Sequence, residues 1–197
     1  MAQIVRPDAR YQRSYLEAHD EFAGEHRDGE GLWQLEADPT TGFAGFDFTR
    51  EGLEDPDEFR RLVQVRRADE LPETPRPAHF VPCTFLWVVD DGDEYVGSIA
   101  FRHELTPFLL EQGGHVGYSI RPSARRRGHA GTALRQVLEL AAEMGHERVL
   151  LTCDEDNVAS RATIEAAGGQ YEDSRAGKRR YWVPTIATDR PAGAAIG

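Results

Sequence analysis

The chain has 197 residues, 40% of them hydrophobic and 29% charged, with a formal net charge of -11. That composition suits one soluble globular domain with a sizeable core. It excludes a membrane span, because no apolar run nears the ~20 residues such a span needs. Residues 1–80 hold 18 of the 34 acidic residues but only 10 of the 23 basic ones, which argues against general nucleic-acid binding. The acidity leaves room for an amine-bearing ligand, and solubility accounts for it equally well.

The N-terminal MAQIVRPDAR has no apolar signal-peptide centre, so the expected location is the cytoplasm. Gln3 to Arg6 can form a short strand. Pro7 ends it, and Asp8 can cap a helix whose apolar face is Tyr11, Tyr15, Leu16 and Phe22. Residues 27–55 read as a long loop rich in Gly, Asp and Thr, with Trp33, Phe43, Phe46 and Phe48 spread through it. EDPDEFRRLVQVRRA is a second amphipathic helix with Pro56 in its first turn. ELPETPRPAHFVP is extended linker. Two strands, TFLWVVD and YVGSIAFRHEL, are joined by a tight DGDE turn. A short connection, TPFLLEQGG, leads to a third strand, HVGYSI.

After that strand comes RPSARRRGHAGTALR, with four arginines between residues 121 and 127. The helix beyond it has Ala130, Ala133, Leu134, Val137, Leu138, Ala141 and Met144 at helical spacing and stops at Gly145. RVLLTCD is a buried strand, VASRATIEAAG a short helix, and GQYEDS with KRRYWVP a closing pair of strands around Gly177. The order predicts a mixed α/β sheet. The tail from Thr185 to Gly197 is expected to be disordered. Cys83 and Cys153 lack metal-ligand spacing and read as buried free thiols; no metal site is visible. Trp87, Tyr95 and Trp182 read as sheet packing, and Lys178-Arg179-Arg180 as a solvated edge.

The arginine loop admits three anion-binding readings. A phosphate-binding P-loop needs Gly-Lys-Ser/Thr at its end; this loop ends Gly131-Thr132. A dinucleotide fold needs G-x-G-x-x-G directly after the strand. Asp154 ends the next strand at a fitting distance, but the glycine triplet is absent. The third reading is a helix N-terminus, where free backbone N–H groups and the helix dipole hold phosphate. Small residues at 128, 130 and 131 give a pyrophosphate access to the backbone, and Arg125, Arg126 and Arg127 can add charge-assisted hydrogen bonds.

RRRGHA fits Gln/Arg-x-x-Gly-x-Gly/Ala, and here the sequence resembles the GNAT superfamily of acyl-CoA-dependent N-acyltransferases. GGHVGYSIRPSARRRGHAGTALRQVLELAAEMG and RVLLTCDEDNVASRATIEAAGG are similar to a branch of predicted bacterial acetyltransferases. The resemblance covers residues 80–183 well and 1–80 loosely. It implies a mixed, mostly antiparallel sheet flanked by helices, with splayed central strands. The expected layout is one domain over 1–184, with acceptor-side helices and loop at 8–80 and a cofactor-binding core at 81–184.

The resemblance further implies that acetyl-CoA is the cosubstrate and that the loop from Arg125 through Gly128, His129, Ala130, Gly131 and Thr132 holds its pyrophosphate. Tyr118, Ser119 and Ile120 would pair with the pantetheine, and an N–H there would polarise the thioester carbonyl. The attacking amine must also lose a proton. Family members often use a carboxylate near the start of this strand, but here that stretch is Gly113-Gly114-His115. His115 is the nearest titratable group. His103 and Glu104 are rivals, and a structural histidine with water as base is the alternative. Asn157-x-x-Ser160 matches the family's cofactor-contacting Asn; it also fits a helix cap. Where many members carry a general-acid tyrosine, this chain has Ile164, so Ser160, Tyr118 or water would protonate the thiolate. Trp33, Phe43, Phe46 and Phe48 could line the acceptor pocket.

The expected activity is acetyl transfer to the amine of a small molecule. Two alternatives stay open: a non-catalytic acyl-CoA-binding sensor, and an enzyme acting on protein or peptide amines. The resemblance also allows a homodimer.

Overall fold

A computed structural model describes residues 2–186; most of the tail expected to be disordered lies outside the described residues. Among the described residues no helix is long and apolar enough to cross a membrane. β1 (Gln3–Val5) leads into a 3-10 turn capped by Asp8 and then α1 (Gln12–Phe22). The 27–55 segment is not all loop: β2 (Gln34–Leu35) and β3 (Phe46–Asp47) pair with each other within it. In α2 (Pro56–Ala68) the Asp55 carboxylate accepts from Asp57 N at 2.7 Å and Glu58 N at 3.3 Å, and Pro56 stands where no N–H is required.

Then come β4 (Cys83–Val89), β5 (Tyr95–Arg102), β6 (Val116–Ile120), α3 (His129–Glu143), β7 (Arg148–Asp154), α4 (Val158–Ala166), β8 (Gln170–Arg175) and β9 (Lys178–Pro184). In the turn between β4 and β5 the left-handed residue is Asp93 (φ 57). Asp90 Oδ1 holds this turn, accepting from Gly92 N and Glu94 N. The connection before β6 winds into one π turn, Leu109–Gly113, closed by Gly114 N donating to Leu109 O.

The seven main strands run in the order β1-β4-β5-β6-β7-β9-β8. Every neighbouring pair is antiparallel except β6–β7. This is the mixed, mostly antiparallel sheet that the resemblance implies. Both faces are covered. Alternation along β4 sends Leu86 and Val88 to the α3 side, against Leu134, Val137 and Leu138. It sends Trp87 and Val89 to the α1–α2 side, with Tyr15, Phe59 and Leu62. That is why β4 and β5 read as nearly unbroken apolar runs.

Tyr95, Trp87 and the two cysteines are buried as expected, and burial pushes the Cys83 thiol up to about 12. Arg180 departs from the solvated-edge reading. It is only 2% exposed, pairs with Asp173 at 2.8 Å and with Glu172, and donates to Leu110 O. β9 lies inside the sheet between β7 and β8, and the turn at Leu110 with Glu172 and Asp173 of β8 encloses the Arg180 side chain.

Candidate active site

The parallel pair β6–β7 is joined at one register position, Val116↔Leu151, whereas β5–β6 stays paired from Phe101↔Val116 to Gly97↔Ile120. Beyond Val116, β6 and β7 therefore part. Arg102 N donates to His115 O and Arg121 N to Val96 O. The antiparallel alternation between those bonds commits the backbones of Gly117 and Ser119 to β5 and turns those of Tyr118 and Ile120 toward the gap. Arg125 Nε fills one of these positions, donating to Ile120 O at 3.0 Å.

The gap opens into a continuous cleft of about 1470 Å³, larger than the usual small-ligand pocket. Every cofactor-side residue named from the sequence lines it except Arg127 and Thr132. The arginine block is divided in its use. Arg121 pairs with Glu21 at 2.8 Å and Arg125 with Glu25 at 2.6 Å, which ties the loop to the end of α1 and the residues just beyond it. Arg126, at φ 63, is exposed and has no hydrogen bond or ion pair among the described residues. Gly128 (φ 83) turns the chain into α3, whose first intrahelical acceptor bond is Thr132 N to Gly128 O at 3.0 Å. The N–H groups of His129, Ala130 and Gly131 thus have no partner within the helix.

Three observations fit this end of the cleft to a pyrophosphate-bearing cofactor. A Cβ on Gly131 would meet nothing within 4 Å, so neither packing nor conformation explains a glycine in the first helical turn, where it costs about 1 kcal/mol. Ser119 Oγ lines the cleft, buried and without a hydrogen-bond partner. The free cation Arg126 and the free N–H groups meet there. Asn157 Oδ1 caps α4, accepting from Ser160 N at 3.0 Å, and the residue still lines the cleft.

The three candidate bases stand elsewhere. His115 is 6% exposed, its Nδ1 accepts from Leu150 N at 2.8 Å, and its ring packs against His146 and Trp182. Burial, with the His146 ring and Arg102 adding to it, lowers its pKa to about 4. It bridges two strands as a neutral ring. His103 Nε2 lies 2.8 Å from Thr84 Oγ1, off the cleft, and Glu104 is exposed to solvent away from it. Ser160 does line the cleft, and its Oγ lies 2.8 Å from the Tyr118 hydroxyl. Burial raises the pKa of that hydroxyl to about 12, so it keeps its proton at neutral pH.

The other end of the cleft is built by the loop after α1, α2 and β4. Phe43 and Phe46 line it. Phe48 is 1% exposed in the core, and Trp33 stacks on His19 while its Nε1 donates to Glu30 Oε1 at 2.9 Å, so neither reaches the cleft wall. Gly29 lies so close to β6 that a Cβ there would stand 2.3 Å from Gly117 O. This contact brings Asp28 beside Gly117, with its Cβ 3.4 Å from where a Gly117 Cβ would be. His26 Nε2 lies 3.0 Å from Asp28 Oδ1, and both residues line the cleft. The sequence reading missed this pair because its loop carries no periodicity.

No curated protein matches the sequence. Solved structures share the fold. One is RimJ of Mycobacterium smegmatis in complex with CoA-disulfide, with 14% identity over 92% of this chain and 80% of that one and a TM-score of 0.60. Another is the microcin C7 self-immunity acetyltransferase MccE in complex with acetyl-CoA and AMP, at 12% identity, 93% and 92% coverage, and a TM-score of 0.57. A third is a spermidine N-acetyltransferase SpeG chimera from Vibrio cholerae and hSSAT, at 13% identity, 93% and 95% coverage, and a TM-score of 0.52. Residues 25–170 match the acetyltransferase (GNAT) domain, and with the splayed β6–β7 pair and the arginine-glycine loop behind that match, the chain belongs to the GNAT acetyltransferase family.

Proposed function

We propose that this chain is an N-acetyltransferase that moves the acetyl group of acetyl-CoA to a primary amine of a small molecule by direct attack on the thioester. The observation that carries the reading is one continuous cleft joining the free N–H groups of α3, the unpaired backbone of Tyr118 and an acceptor chamber. Residues 81–184 would hold the cofactor and 8–80 the acceptor, within one domain.

Acetyl-CoA supplies the acyl carbon. The α3 N-terminus and Arg126 hold its pyrophosphate. Tyr118 N–H donates to the carbonyl oxygen as charge builds there. The amine nitrogen bonds to the acyl carbon, the carbon–sulfur bond breaks, and the sulfur leaves with the electron pair. Tyr118 OH, backed by Ser160 Oγ at 2.8 Å, gives that sulfur a proton. Asp28 with His26 takes the proton the nitrogen loses, since the two line the cleft together and Asp28 stands beside Gly117.

Calorimetric titration with acetyl-CoA, followed by free-thiol release against an amine panel, tests the reading. Binding with amine-dependent release supports it. Binding without release favours the sensor alternative, and no binding removes the assignment.

A further inference from the structure

The acceptor chamber carries charge that the protein does not pair. Arg66 is 4% exposed and lines the cleft. Its guanidinium lies 5.1 Å from the Phe85 ring centre and 5.8 Å from that of Phe46. Its hydrogen bond runs from Nη2 to Leu32 O, and among the described residues it has no ion pair. Arg102, on the same wall, donates from Nη1 to Gly113 O and Gly114 O and likewise meets no carboxylate. Arg76 is the third cation there. Its Nε is buried without a hydrogen bond, and Asp69 Oδ1 is 3.9 Å away. Among the described residues only Arg76 of the three has a carboxylate within 4 Å, in a chain of net charge -11; Asp69 and Glu30 act on Arg66 from farther off, and Glu30 is already paired with Arg27. Buried cations left without a counter-charge are costly, and folded proteins pair them.

We propose that the missing counter-charge belongs to the acceptor: an amine carrying an oxyanion, a carboxylate or a phosphate-like group, at the far end of an apolar body. This rests on the acetyltransferase reading above. The sheet sets the spacing. Phe85, Ala100 and Gly117 lie in one row across β4, β5 and β6, and neighbouring strands are roughly 4.8 Å apart. The Phe85 and Gly117 backbones are therefore roughly 10 Å apart, and the Arg66 guanidinium lies beside the Phe85 ring, 5.1 Å from its centre. After a hydrogen-bond length at each end, amine and oxyanion are separated by several bonds. That spacing suits an ω-amino acid or a side-chain amine better than an α-amino group next to its own carboxylate. Phe46 and Phe85 flank the apolar body, and the Arg66 fork takes two oxygens at once.

The test compares kcat/KM for 4-aminobutanoate, 6-aminohexanoate and 4-(aminomethyl)benzoate with the matched amines lacking the carboxylate, with glycine as the short member. 6-Aminohexylphosphonate distinguishes the two oxyanions. Acetyl-CoA binding is measured on the same protein. The expected result is at least a tenfold preference for an anionic amine, best at the longer spacings. Arg66→Met should abolish that preference and Arg66→Lys should keep part of it, with both variants checked for folding by thermal unfolding and acetyl-CoA affinity. Equal or better turnover of the bare amines overturns the inference, as does a preference that survives in Arg66→Met. Acetyl-CoA binding with no anionic amine turned over overturns it too, while leaving the cofactor assignment standing. Failure to bind acetyl-CoA removes the reading beneath it.

Discussion

His115 separates two accounts of the site most sharply. As a base it would titrate near neutrality and govern the rate. In the fold its ring is buried and neutral, with Nδ1 occupied by Leu150 N at 2.8 Å. His115→Asn keeps an acceptor oxygen close to the Nδ1 position and removes the titration. A histidine at about 4 in the folded chain against 6.5 in the unfolded one binds fewer protons when folded. Its contribution is complete above the unfolded value and is lost as pH falls toward the folded one. Between pH 7 and pH 5 the wild type should lose about 2 kcal/mol that the variant does not. Urea unfolding of both proteins at the two pH values measures this. The variant is the less stable at pH 7, since the ring's contacts with Phe101, His146 and Trp182 are gone, and the deficit narrows by about 2 kcal/mol at pH 5. Its kcat/KM stays within a few fold of wild type. Parallel stability curves, or a folded variant whose turnover falls about 100-fold, would refute this account.

Three further outcomes follow from the geometry. Gly131→Leu should weaken acetyl-CoA binding at least tenfold by calorimetry, while unfolding shows no loss and up to about 1 kcal/mol of gain, because the new side chain enters open space and improves helix propensity. Tyr118→Phe should lower kcat about 100-fold with acetyl-CoA affinity unchanged; an unchanged kcat would mean the thiolate leaves unassisted. Asp28→Asn should cost a similar factor in kcat, measured by thiol release, and undiminished turnover would exclude the Asp28–His26 pair as the proton acceptor.

Most elements were legible locally, apart from the β2–β3 pair and the early end of β5 at Arg102. Arg148–Asp154 and Pro56–Ala68 follow from unbroken apolar character in one case and from an Asp-Pro start with helical spacing in the other. Those are properties of neighbours in the chain, set by backbone sterics and capping. The arginine-glycine junction was legible too, because the open first turn of a helix is set by its own residues. What each arginine does was not. Arg121 and Arg125 are taken by Glu21 and Glu25, about a hundred positions away, and among the described residues only Arg126 of the block is both without a partner and on the cleft.

The end of the cleft around Arg66 and Asp28 was the least visible. Arg66 reads as the polar face of an amphipathic helix, yet Leu32, Phe46 and Phe85 close around it. Asp28 has no pattern at all until Gly29 packs on Gly117. The amino-acid order by itself determined the seven main strands, the four helices and the arginine-glycine turn, since short-range periodicity and caps encode them, but not the β2–β3 pair inside the 27–55 segment. Only the tertiary structure decided which side chains share the cleft and which charges are left unpaired, since burial and ion pairing depend on segments that meet through the sheet rather than along the chain.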